Sequence, residues 1–369
     1  MAKIKKQTKK QILKDSSLEF LKKYINNPSP VGFESSGQKI WLEYLQPYID
    51  AKFVDPYGTA VGIVNPDAPF KVVIEAHADE ISWFVNYITD KGIIYLKRNG
   101  GVDHQVAPAK RVLIHGKKGP VKAVFGWPAI HTRMGHNDKE TQPKVENLFL
   151  DCGASNKKEV EQLGVHIGSV VTYEEGFDTL ANGFYIGRAF DNRIGGFMIA
   201  EVARLLHENK KKLPYALYVV NSVQEEIGLR GAEMIARRIK PDVAIVTDVT
   251  HDTQTPMINK MIEGDIACGK GPSLAYGPAV HNKLLDFVQQ VANKNKIDIQ
   301  LRALSRSTGT DTDSFAYAHE GCPSVLISIP LRYMHTTVEM IHHKDIEGTI
   351  QLMYESLLAL TPKTNLSYL

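Results

Sequence analysis

The chain has 369 residues, more than one domain usually contains, which predicts two domains or one domain with a large insertion. It is 43% hydrophobic and 23% charged, as globular proteins with a sizeable core are, and its net charge of +3 is too small to indicate a nucleic-acid or membrane-surface partner. No apolar run reaches the roughly 20 residues of a membrane helix, and the basic start "MAKIKKQTKK" is interpreted as a solvated tail, not a secretory signal.

Helix and strand signals alternate in the first part of the chain. Apolar residues recur at helical spacing in "SSLEFLKKYINN" (16–27), and "GQKIWLEYLQPYI" (37–49) predicts a second helix. The β-branched runs "TAVGIV" (59–64) and "KVVIEAHADE" (71–80) are bounded by turn residues and predict strands. This part therefore begins an α/β domain.

The pattern changes between residues 86 and 173. Gly, Pro and Asn turns separate short strand-like runs, which are "GIIYLK", "RVLIHG", "GPVKAVFG" and "GSVVTYEE". Little except "KKEVEQLG" (157–164) suggests a helix here. The section therefore predicts a small β-rich domain of the barrel or sandwich type.

Helices and strands alternate again from residue 174. The predicted helices include "DNRIGGFMIAEVARLLHENKKK", "GAEMIARRI", "HNKLLDFVQQVANKNK" and "IEGTIQLMYESLLALT". The strands between them are "YALYVVNSV", "DVAIVTDV", "DIQLRAL" and "PSVLISIP". Strands separated by helices of this length predict a mostly parallel mixed sheet sandwiched by helices. The predicted architecture is an α/β domain of residues 1–85 and 174–369, with residues 86–173 inserted as a small β-barrel.

Polar residues follow the predicted strands at their carboxyl ends, where α/β proteins bind ligands. They are His77, Asp79, Asp191, Glu225, Glu226, Asp248 and His335. Carboxylates on one edge of a sheet cost free energy unless cations compensate them, and imidazole with carboxylate ligands suits divalent metal ions. Five ligands with one bridging carboxylate suit two ions about 3.5 to 4 Å apart, as in aminopeptidases and phosphatases.

The adjacent acids Glu225 and Glu226 point in different directions at the end of a strand. Glu226 is therefore expected to bind a metal ion while Glu225 stays free to hold a proton. Asp79, two residues after His77, is placed to accept the second ring N–H of His77 and fix its tautomer. These interpretations predict a metal-dependent hydrolase.

The three cysteines, Cys152, Cys268 and Cys322, are far apart and include no CxxC pair. This set favours small buried side chains in a reducing compartment over disulfides or a thiolate metal site. The cytoplasm is therefore the expected location.

Several other polar residues have simpler interpretations. His342 and His343 are candidate ligands by residue type, but they are expected to flank a helix instead. His131 and His136 are expected to lie in an exposed loop of the insertion or in an oligomer contact. Arg230 could touch substrate, cap a helix or support the acids beside it. Neither a phosphate-binding GxxxxGK[ST] loop nor a serine-hydrolase GxSxG motif occurs in the sequence.

Five motifs in fixed order resemble the family-42 metallo-aminopeptidases, which include the glutamyl and tetrahedral aminopeptidases. They are "HADE" (77–80), "AFDNR" (189–193), "VQEEIGLRGA" (223–232), "VTDV" (246–249) and "RYMHTTVEM" (332–340). The similarity covers nearly the whole chain. Related carboxypeptidases and deacylases place their extra domain before the final His, whereas here the long interval lies between the first two ligands.

The resemblance implies which residues bind metal. One ion would lie on His77, Asp191 and Asp248, and the second on Asp191, Glu226 and His335. Zinc is the implied metal, with cobalt as an alternative. The expected substrates are short peptides.

The resemblance also implies roles beyond metal binding. Glu225 would be the general base and acid, Asp79 would orient His77, and the peptide bond after Asp191 would be cis. The insertion would be a PDZ-like module that helps to assemble dimers, six of which form a tetrahedral dodecamer.

The sequence leaves the substrate partly open. A metal-dependent deacylase acting on N-blocked peptides would use the same metals and base. Some members of the family carry the label endoglucanase, but a glycosidase needs only two carboxylates. Departures from the family pattern at Ala78, at 81–83 and in "TGTDTDSF" (308–315) bear on pocket shape and residue preference, because they leave every ligand in place.

Overall fold

The structure, a computed structural model, describes residues 12–133 and 142–369. The basic start of the chain and His136 lie outside the described residues. His131 lies on a short helix and is exposed.

The regular elements of the described residues are α-helices and β-strands. The helices are α1 (Asp15–Asn26), α2 (Ser35–Leu45), α3 (Ile130–Arg133), α4 (Lys157–Gln162), α5 (Phe190–Glu208), α6 (Arg230–Ile239), α7 (Lys260–Glu263), α8 (Asn282–Asn295), α9 (Thr312–Ala316) and α10 (His343–Ala359). The strands are β1 (Ala51–Val54), β2 (Ala60–Val64), β3 (Lys71–His77), β4 (Ser82–Ile88), β5 (Ile94–Asn99), β6 (Arg111–Gly116), β7 (Gly119–Gly126), β8 (Phe149–Asp151), β9 (Val170–Tyr173), β10 (Asp178–Thr179), β11 (Phe184–Gly187), β12 (Ala216–Ser222), β13 (Val243–His251), β14 (Ser273–Tyr276), β15 (Gln300–Ala303), β16 (Ser324–Arg332) and β17 (Glu339–His342).

A large mixed sheet forms the centre of the fold. Its main path runs β1-β2-β12-β3-β13-β16-β17-β11-β10, and β14 pairs with both β16 and β15. The four central strands β12, β3, β13 and β16 are parallel, so their carboxyl ends share one edge. β13 is buried at every position except its last, as expected for a strand covered on both faces.

Helices flank this sheet in two groups, and the helices of each group pack against one another. In one, α5 packs against α1, α2 and α10, and in the other α6 packs against α9. α1 shows how the sequence determines its own packing, because Phe20, Leu21, Tyr24 and Ile25 form the predicted apolar stripe and are all buried. The mixed α/β sheet between helices is confirmed.

Strands β4 to β9 form a closed antiparallel barrel in the order β4-β5-β8-β7-β6-β9. Its core is separate from that of the sheet and contains Trp83, Phe125 and Leu150. The predicted small β-barrel is therefore confirmed. We propose that this barrel is the inserted domain predicted at 86–173, with its first strand beginning at Ser82 because Trp83 belongs to its core.

None of the helices in the described residues is both long enough and apolar enough to cross a membrane.

Candidate metal and active site

The predicted site residues meet at the carboxyl edge of the parallel strands. β3 ends at His77, and β12 ends at Ser222, shortly before the single turn that carries Glu225 and Glu226. Asp248 lies inside β13 and not at its end, because this strand continues to His251.

Asp191 and His335 come from turns at the same edge. Asp191 lies at the start of α5, directly after β11, and the peptide bond from Asp191 to Asn192 is cis, as the resemblance implies. His335 lies three residues after the end of β16, in the left-handed conformation with φ 61°.

Asp191 lies between the two histidines. Its Oδ1 is 3.3 Å from Nε2 of His77, and its Oδ2 is 3.2 Å from Nε2 of His335. The two carboxylate oxygens therefore face different imidazoles, as in a carboxylate that bridges two cations.

Two sets of ligand atoms surround this bridge. On one side, Nε2 of His77 is 3.8 Å from Oε2 of Glu225 and 3.9 Å from Oδ1 of Asp248. On the other side, Nε2 of His335 is 3.4 Å from Oε2 of Glu226. Among the described residues, two groups have ligand atoms close enough together to hold a metal ion: the first is His77, Glu225 and Asp248, and the second is His77, Asp191 and Glu226.

The residues fit a cation in their hydrogen bonding as well. Oε1 of Glu226 is buried and has no hydrogen-bond partner among the described residues. A buried carboxylate oxygen without a donor is costly unless a cation lies beside it. The mixed imidazole and carboxylate donors are those that zinc and similar ions bind.

Protonation at the site reflects its crowded charges. Burial opposes ionisation of Asp191, but hydrogen bonds with His335 and His77 hold the pKa of its carboxyl below the ordinary value. Burial would lower the pKa of His335, but its contacts with Asp191 and Glu226 raise that pKa to about 12. Burial raises the pKa of Glu225 to about 10. The charge of His77 opposes this rise, and the charges of neighbouring carboxylates add to it. Without a cation, protons must therefore compensate part of the negative charge.

Both histidines present Nε2 to the carboxylates because their Nδ1 atoms face backbone oxygens. Nδ1 of His77 is 3.2 Å from the carbonyl oxygen of Asp79, and Nδ1 of His335 is 3.0 Å from that of Gly101. An Nδ1–H that donates to these carbonyls leaves the Nε2 lone pair available to a metal ion.

The carboxylate of Asp79 has a second set of contacts beside His77. Its Oδ1 is 3.5 Å from Nδ1 of His77, and its two oxygens accept the backbone N–H groups of Glu225 and Glu226. Asp79 is fully buried, so these contacts are shielded from water. It therefore holds the turn with the two acids and lies beside the imidazole of His77.

The profile of the family described as M42 glutamyl aminopeptidase matches residues 58–352 of the chain. The chain belongs to this family. It is therefore a peptidase of the hydrolase class that acts on N-terminal residues.

Individual M42 relatives match nearly the full length of the chain. Lysyl aminopeptidase of Pyrococcus furiosus is 33% identical over 345 residues, which cover 93% of this chain and 97% of the relative. The crystal structure of the TET aminopeptidase of Thaumarchaeota archaeon SCGC AB-539-E09 has a TM-score of 0.90 and 32% identity, covering 95% of this chain and 98% of that one. The TET1 peptidase of Pyrococcus horikoshii has a TM-score of 0.83 and 25% identity, covering 93% of this chain and 100% of that one. That peptidase can assemble into a tetrahedron or a large octahedral shell.

An open cavity of about 570 Å³ adjoins the candidate metal-binding groups of this M42 aminopeptidase. Its lining includes Asp191, Glu225, Glu226, Asp248, His335, His251, Arg302, Thr308 and Asp313. A peptide end that enters the cavity would therefore meet the carboxylates and imidazoles directly.

Sequence reasoning missed Glu339, which holds two proposed ligands by their backbones. Its Oε1 accepts the N–H of His335 at 2.9 Å, and its Oε2 accepts the N–H of Asp191 at 3.1 Å. Glu339 belongs to the quoted motif "RYMHTTVEM", and an acid four residues after a proposed ligand was the available signal.

A second buried pair of acids lies behind the site. The hydroxyl of Ser222 is 2.6 Å from Oδ2 of Asp311 and also contacts the Glu75 carboxyl. Burial raises the pKa of Glu75, and the nearby charge of Asp311 adds to this effect. Glu75 lies inside β3, two positions before His77, where the sequence pattern indicates only a buried strand.

The remaining polar residues have structural roles or lie at the surface. His342 precedes α10, where its Nδ1 accepts the N–H of Lys344, which confirms that it flanks a helix. Arg230 is the first residue of α6, is largely exposed and lies 3.9 Å from Glu233.

Proposed function

We propose that the chain is a dinuclear metallo-aminopeptidase that removes the first residue of short peptides. The observation that carries this proposal is the position of the Asp191 carboxylate, with one oxygen facing His77 and the other facing His335. One ion would lie on His77, Asp191 and Asp248, and the other on Asp191, Glu226 and His335.

Charge and coordination favour this ligand set over one that includes Glu225. Asp191, Glu226 and Asp248 carry three negative charges against the four positive charges of two divalent ions, so one hydroxide completes neutrality. Each ion would have three protein ligands, which leaves a position open as catalytic sites require. Glu225 as a further ligand would begin to close that position. Zinc is the proposed metal, and cobalt is the alternative with similar ligand preferences.

When bound, such ions make water more acidic and polarise a peptide carbonyl. Glu225 lines the cavity and is the proposed base that accepts a proton from the attacking water. It then donates this proton to the nitrogen of the leaving peptide. Asp79 holds Glu225 in place through its backbone N–H. Buried donors and acceptors of this kind keep their geometry during the reaction.

A free α-amino group would distinguish the substrate from a blocked peptide. An ammonium or amine group at the carboxylate-rich edge gains favourable electrostatic contact, whereas an acylated nitrogen does not. Acidic residues that converge with two imidazoles are more than an endoglucanase requires. These considerations place removal of a free N-terminal residue ahead of deacylation and of glycoside hydrolysis.

We propose further that the chain forms homo-oligomers, with dimers that assemble into a dodecamer. The likeness to the Pyrococcus horikoshii TET1 peptidase supports this proposal, and the barrel is the proposed assembly module. The cytoplasm is the proposed location, because the three cysteines are free thiols. The proposed partners are peptides and copies of the chain, not nucleic acid.

The test compares short peptides with free and acetylated N-termini, and soluble cellulose. The purified protein is supplied with zinc or with cobalt, and a chelated sample is the control. Stepwise, metal-dependent release of amino acids from free N-termini alone supports the proposal. Cleavage confined to acetylated peptides, or to cellulose, would contradict it.

A further inference from the structure

His335 is carried by a short loop with an unfavourable backbone conformation. The loop, residues 333–338, joins β16 to β17, and both Tyr333 and His335 adopt the left-handed conformation with φ 61°. Residues other than glycine rarely adopt this conformation, and it persists only where surrounding contacts enforce it. The position of His335 therefore depends on the contacts that the loop makes with other segments.

Two contacts of this loop come from the barrel. Nδ1 of His335 is 3.0 Å from the carbonyl oxygen of Gly101, in the segment after β5. Nζ of Lys110, the residue before β6, donates to Oγ1 of Thr337 at 2.6 Å. Thr337 is 2% exposed, so water competes little for this hydrogen bond. The barrel therefore holds the loop at His335 itself and again two positions later.

The backbone of Lys110 is fixed to the barrel. Its N–H donates to the carbonyl of Ala107 at 3.1 Å, and its own carbonyl accepts the N–H of Phe125 at 2.8 Å. Phe125 belongs to the core of the barrel. The ammonium group of Lys110 also lies 3.5 Å from Oε1 of Glu175, in the segment after β9. Lys110 therefore connects the barrel and the segment that leaves it with the loop of His335.

A different residue holds the two segments that join the barrel to the sheet. Arg188 is buried, and its Nε donates to the carbonyl of Tyr173 at the end of β9. Its Nη1 is 2.5 Å from Oε2 of Glu80, two residues before β4 begins. Because Arg188 contacts both connections, loss of the Lys110 side chain should leave the barrel in place. The contact between Lys110 and Thr337 is then expected to act on the loop alone.

We propose that Lys110 is a positioning residue that holds the His335 loop through Thr337 and so maintains the second metal position. The inference rests on the proposed dinuclear site, in which His335 is a ligand. Hydrogen bonds from charged donors are stronger than neutral ones, and groups that orient metal ligands typically contribute about 10- to 100-fold in affinity. His77 and Asp248 lie on strands of the sheet, so the first metal position should not depend on Lys110.

Zinc titration followed by mass spectrometry under native conditions tests this role. In Lys110→Met and in Thr337→Val, we expect the affinity for one of the two ions to fall by about tenfold, while the other ion stays bound as in wild type. The two variants remove opposite ends of one hydrogen bond, so the double variant should lose no more affinity than either alone. Lys110→Arg keeps donors and the positive charge, so it should retain most of the affinity.

Lys122→Met is the matched control, because Lys122 is a largely exposed lysine on β7 that lies 3.4 Å from Glu174. It should keep wild-type zinc binding. Glu175→Gln separates the two contacts of Lys110, since it removes the ion pair and leaves the hydrogen bond to Thr337. Wild-type zinc binding in Glu175→Gln supports the proposal. An equal loss in Glu175→Gln and Lys110→Met would overturn it, because the segment after β9 would then be the support that matters.

Amide hydrogen exchange in the metal-free protein separates this inference from the proposed function. Residues 333–338 should exchange about tenfold faster in Lys110→Met and Thr337→Val than in wild type, and at the wild-type rate in Lys122→Met. Unchanged exchange in the first two variants overturns the inference, whatever their zinc affinity. A wild-type chain that binds fewer than two zinc ions contradicts the proposed function, and the exchange rates then decide by themselves whether Lys110 holds the loop.

Discussion

The carboxylate of Asp79 accepts the backbone N–H of Glu225, with 3.0 Å between nitrogen and oxygen. Its other oxygen accepts the N–H of Glu226 at 3.1 Å. One buried side chain therefore links the end of β3 to the turn after β12 and sets the direction of both acids. The proposed base and a proposed ligand thus share one support.

Asp79→Asn should lower activity and metal affinity by about 10- to 100-fold, as loss of an orienting contact around ligands does. The amide group would turn its NH₂ toward one of the two backbone N–H groups and leave a buried donor unsatisfied, which costs about 1–3 kcal/mol. Steady-state kinetics and metal titration measure the two effects.

Asp55→Asn is the matched control. Asp55 also accepts backbone N–H groups in a turn, those of Tyr57, Gly58 and Thr59, but through Oδ1 alone, so an amide can replace it. It does not line the cavity. Equal loss of activity in both variants would mean that Asp79 has no special role.

Glu225→Gln should reduce kcat by about 10²- to 10⁴-fold, the usual contribution of a general base, while two metal ions per chain remain bound. Glutamine has nearly the same shape but does not take up a proton at neutral pH. Metal content is measured by mass spectrometry under native conditions, and kcat with a cleavable anilide.

Glu226→Gln provides the contrast, because it removes a proposed ligand and should lower metal content. The His77, Glu225 and Asp248 group also has ligand atoms within reach of one ion. If Glu225→Gln loses metal as Glu226→Gln does, Glu225 is a ligand and the base must be sought elsewhere.

Much of this site could be predicted from sequence, because strand ends are local features of the chain. β-branched runs followed by His or paired acids determine both the strand and its polar end, as at His77 and Glu225. Asp248 shows the limit, since the apolar pattern ends there while hydrogen bonding to β16 extends the strand to His251. Pairing with a distant strand leaves no mark on the local pattern.

Other parts of the site depend on contacts that only the folded chain makes. Gln224 and His335 adopt the left-handed conformation, which residues other than glycine rarely adopt, so no composition rule predicts turns there. Glu339 acts through the backbone of Asp191, far away in sequence. Nε of Arg302 is buried without a hydrogen-bond partner among the described residues, and a missing partner is visible only in three dimensions.

Gly101→Ala should impair the second metal position by displacing His335. A Cβ atom at Gly101 would lie 3.0 Å from both Cε1 and Nδ1 of the imidazole, which is closer than an ordinary contact. Because the carbonyl of Gly101 also holds Nδ1, the ring cannot move without stretching that hydrogen bond. We expect a loss of about tenfold or more in kcat/KM, since small displacements of positioned groups are costly.

Gly348→Ala is the control for this prediction. Gly348 lies on α10, and the same added methyl group would meet only Pro272 and Gly271. It should change thermal stability slightly and leave kcat/KM at the wild-type value. Unchanged activity and metal content in Gly101→Ala would show that the segment after β5, which carries Gly101, does not position His335.

Asp345 should make the fold less stable as pH rises from about 4 to 7. It is buried near the start of α10, and its oxygens accept the N–H groups of Gly269 at 2.6 Å and Gly271 at 2.8 Å. Burial raises the pKa of its carboxyl to about 7, the two backbone N–H groups oppose this rise, and the charge of Asp252 adds to it.

The sign follows from the number of protons bound. Between the ordinary pKa near 3.8 and the folded pKa near 7, the folded chain holds a proton that the unfolded chain has released. The favourable contribution of this proton is present in full below the lower value and is lost as pH rises through the upper one. The loss amounts to roughly 4 kcal/mol at most.

Denaturant unfolding at pH 5 and pH 8 measures this effect in wild type and in Asp345→Asn. Asp345→Asn should be less stable than wild type at pH 5, because one backbone N–H loses its acceptor. Its free energy of unfolding should not show the decrease between pH 5 and pH 8 that ionisation of Asp345 causes in wild type. Asp252→Asn is the contrast. Burial would raise the pKa of Asp252, but hydrogen bonds from two backbone N–H groups and from Arg332 hold that pKa below its ordinary value. This variant should therefore be less stable than wild type at both pH 5 and pH 8. An equal decline from pH 5 to pH 8 in wild type and Asp345→Asn would mean that Asp345 is ionised throughout, and that the two N–H groups outweigh its burial.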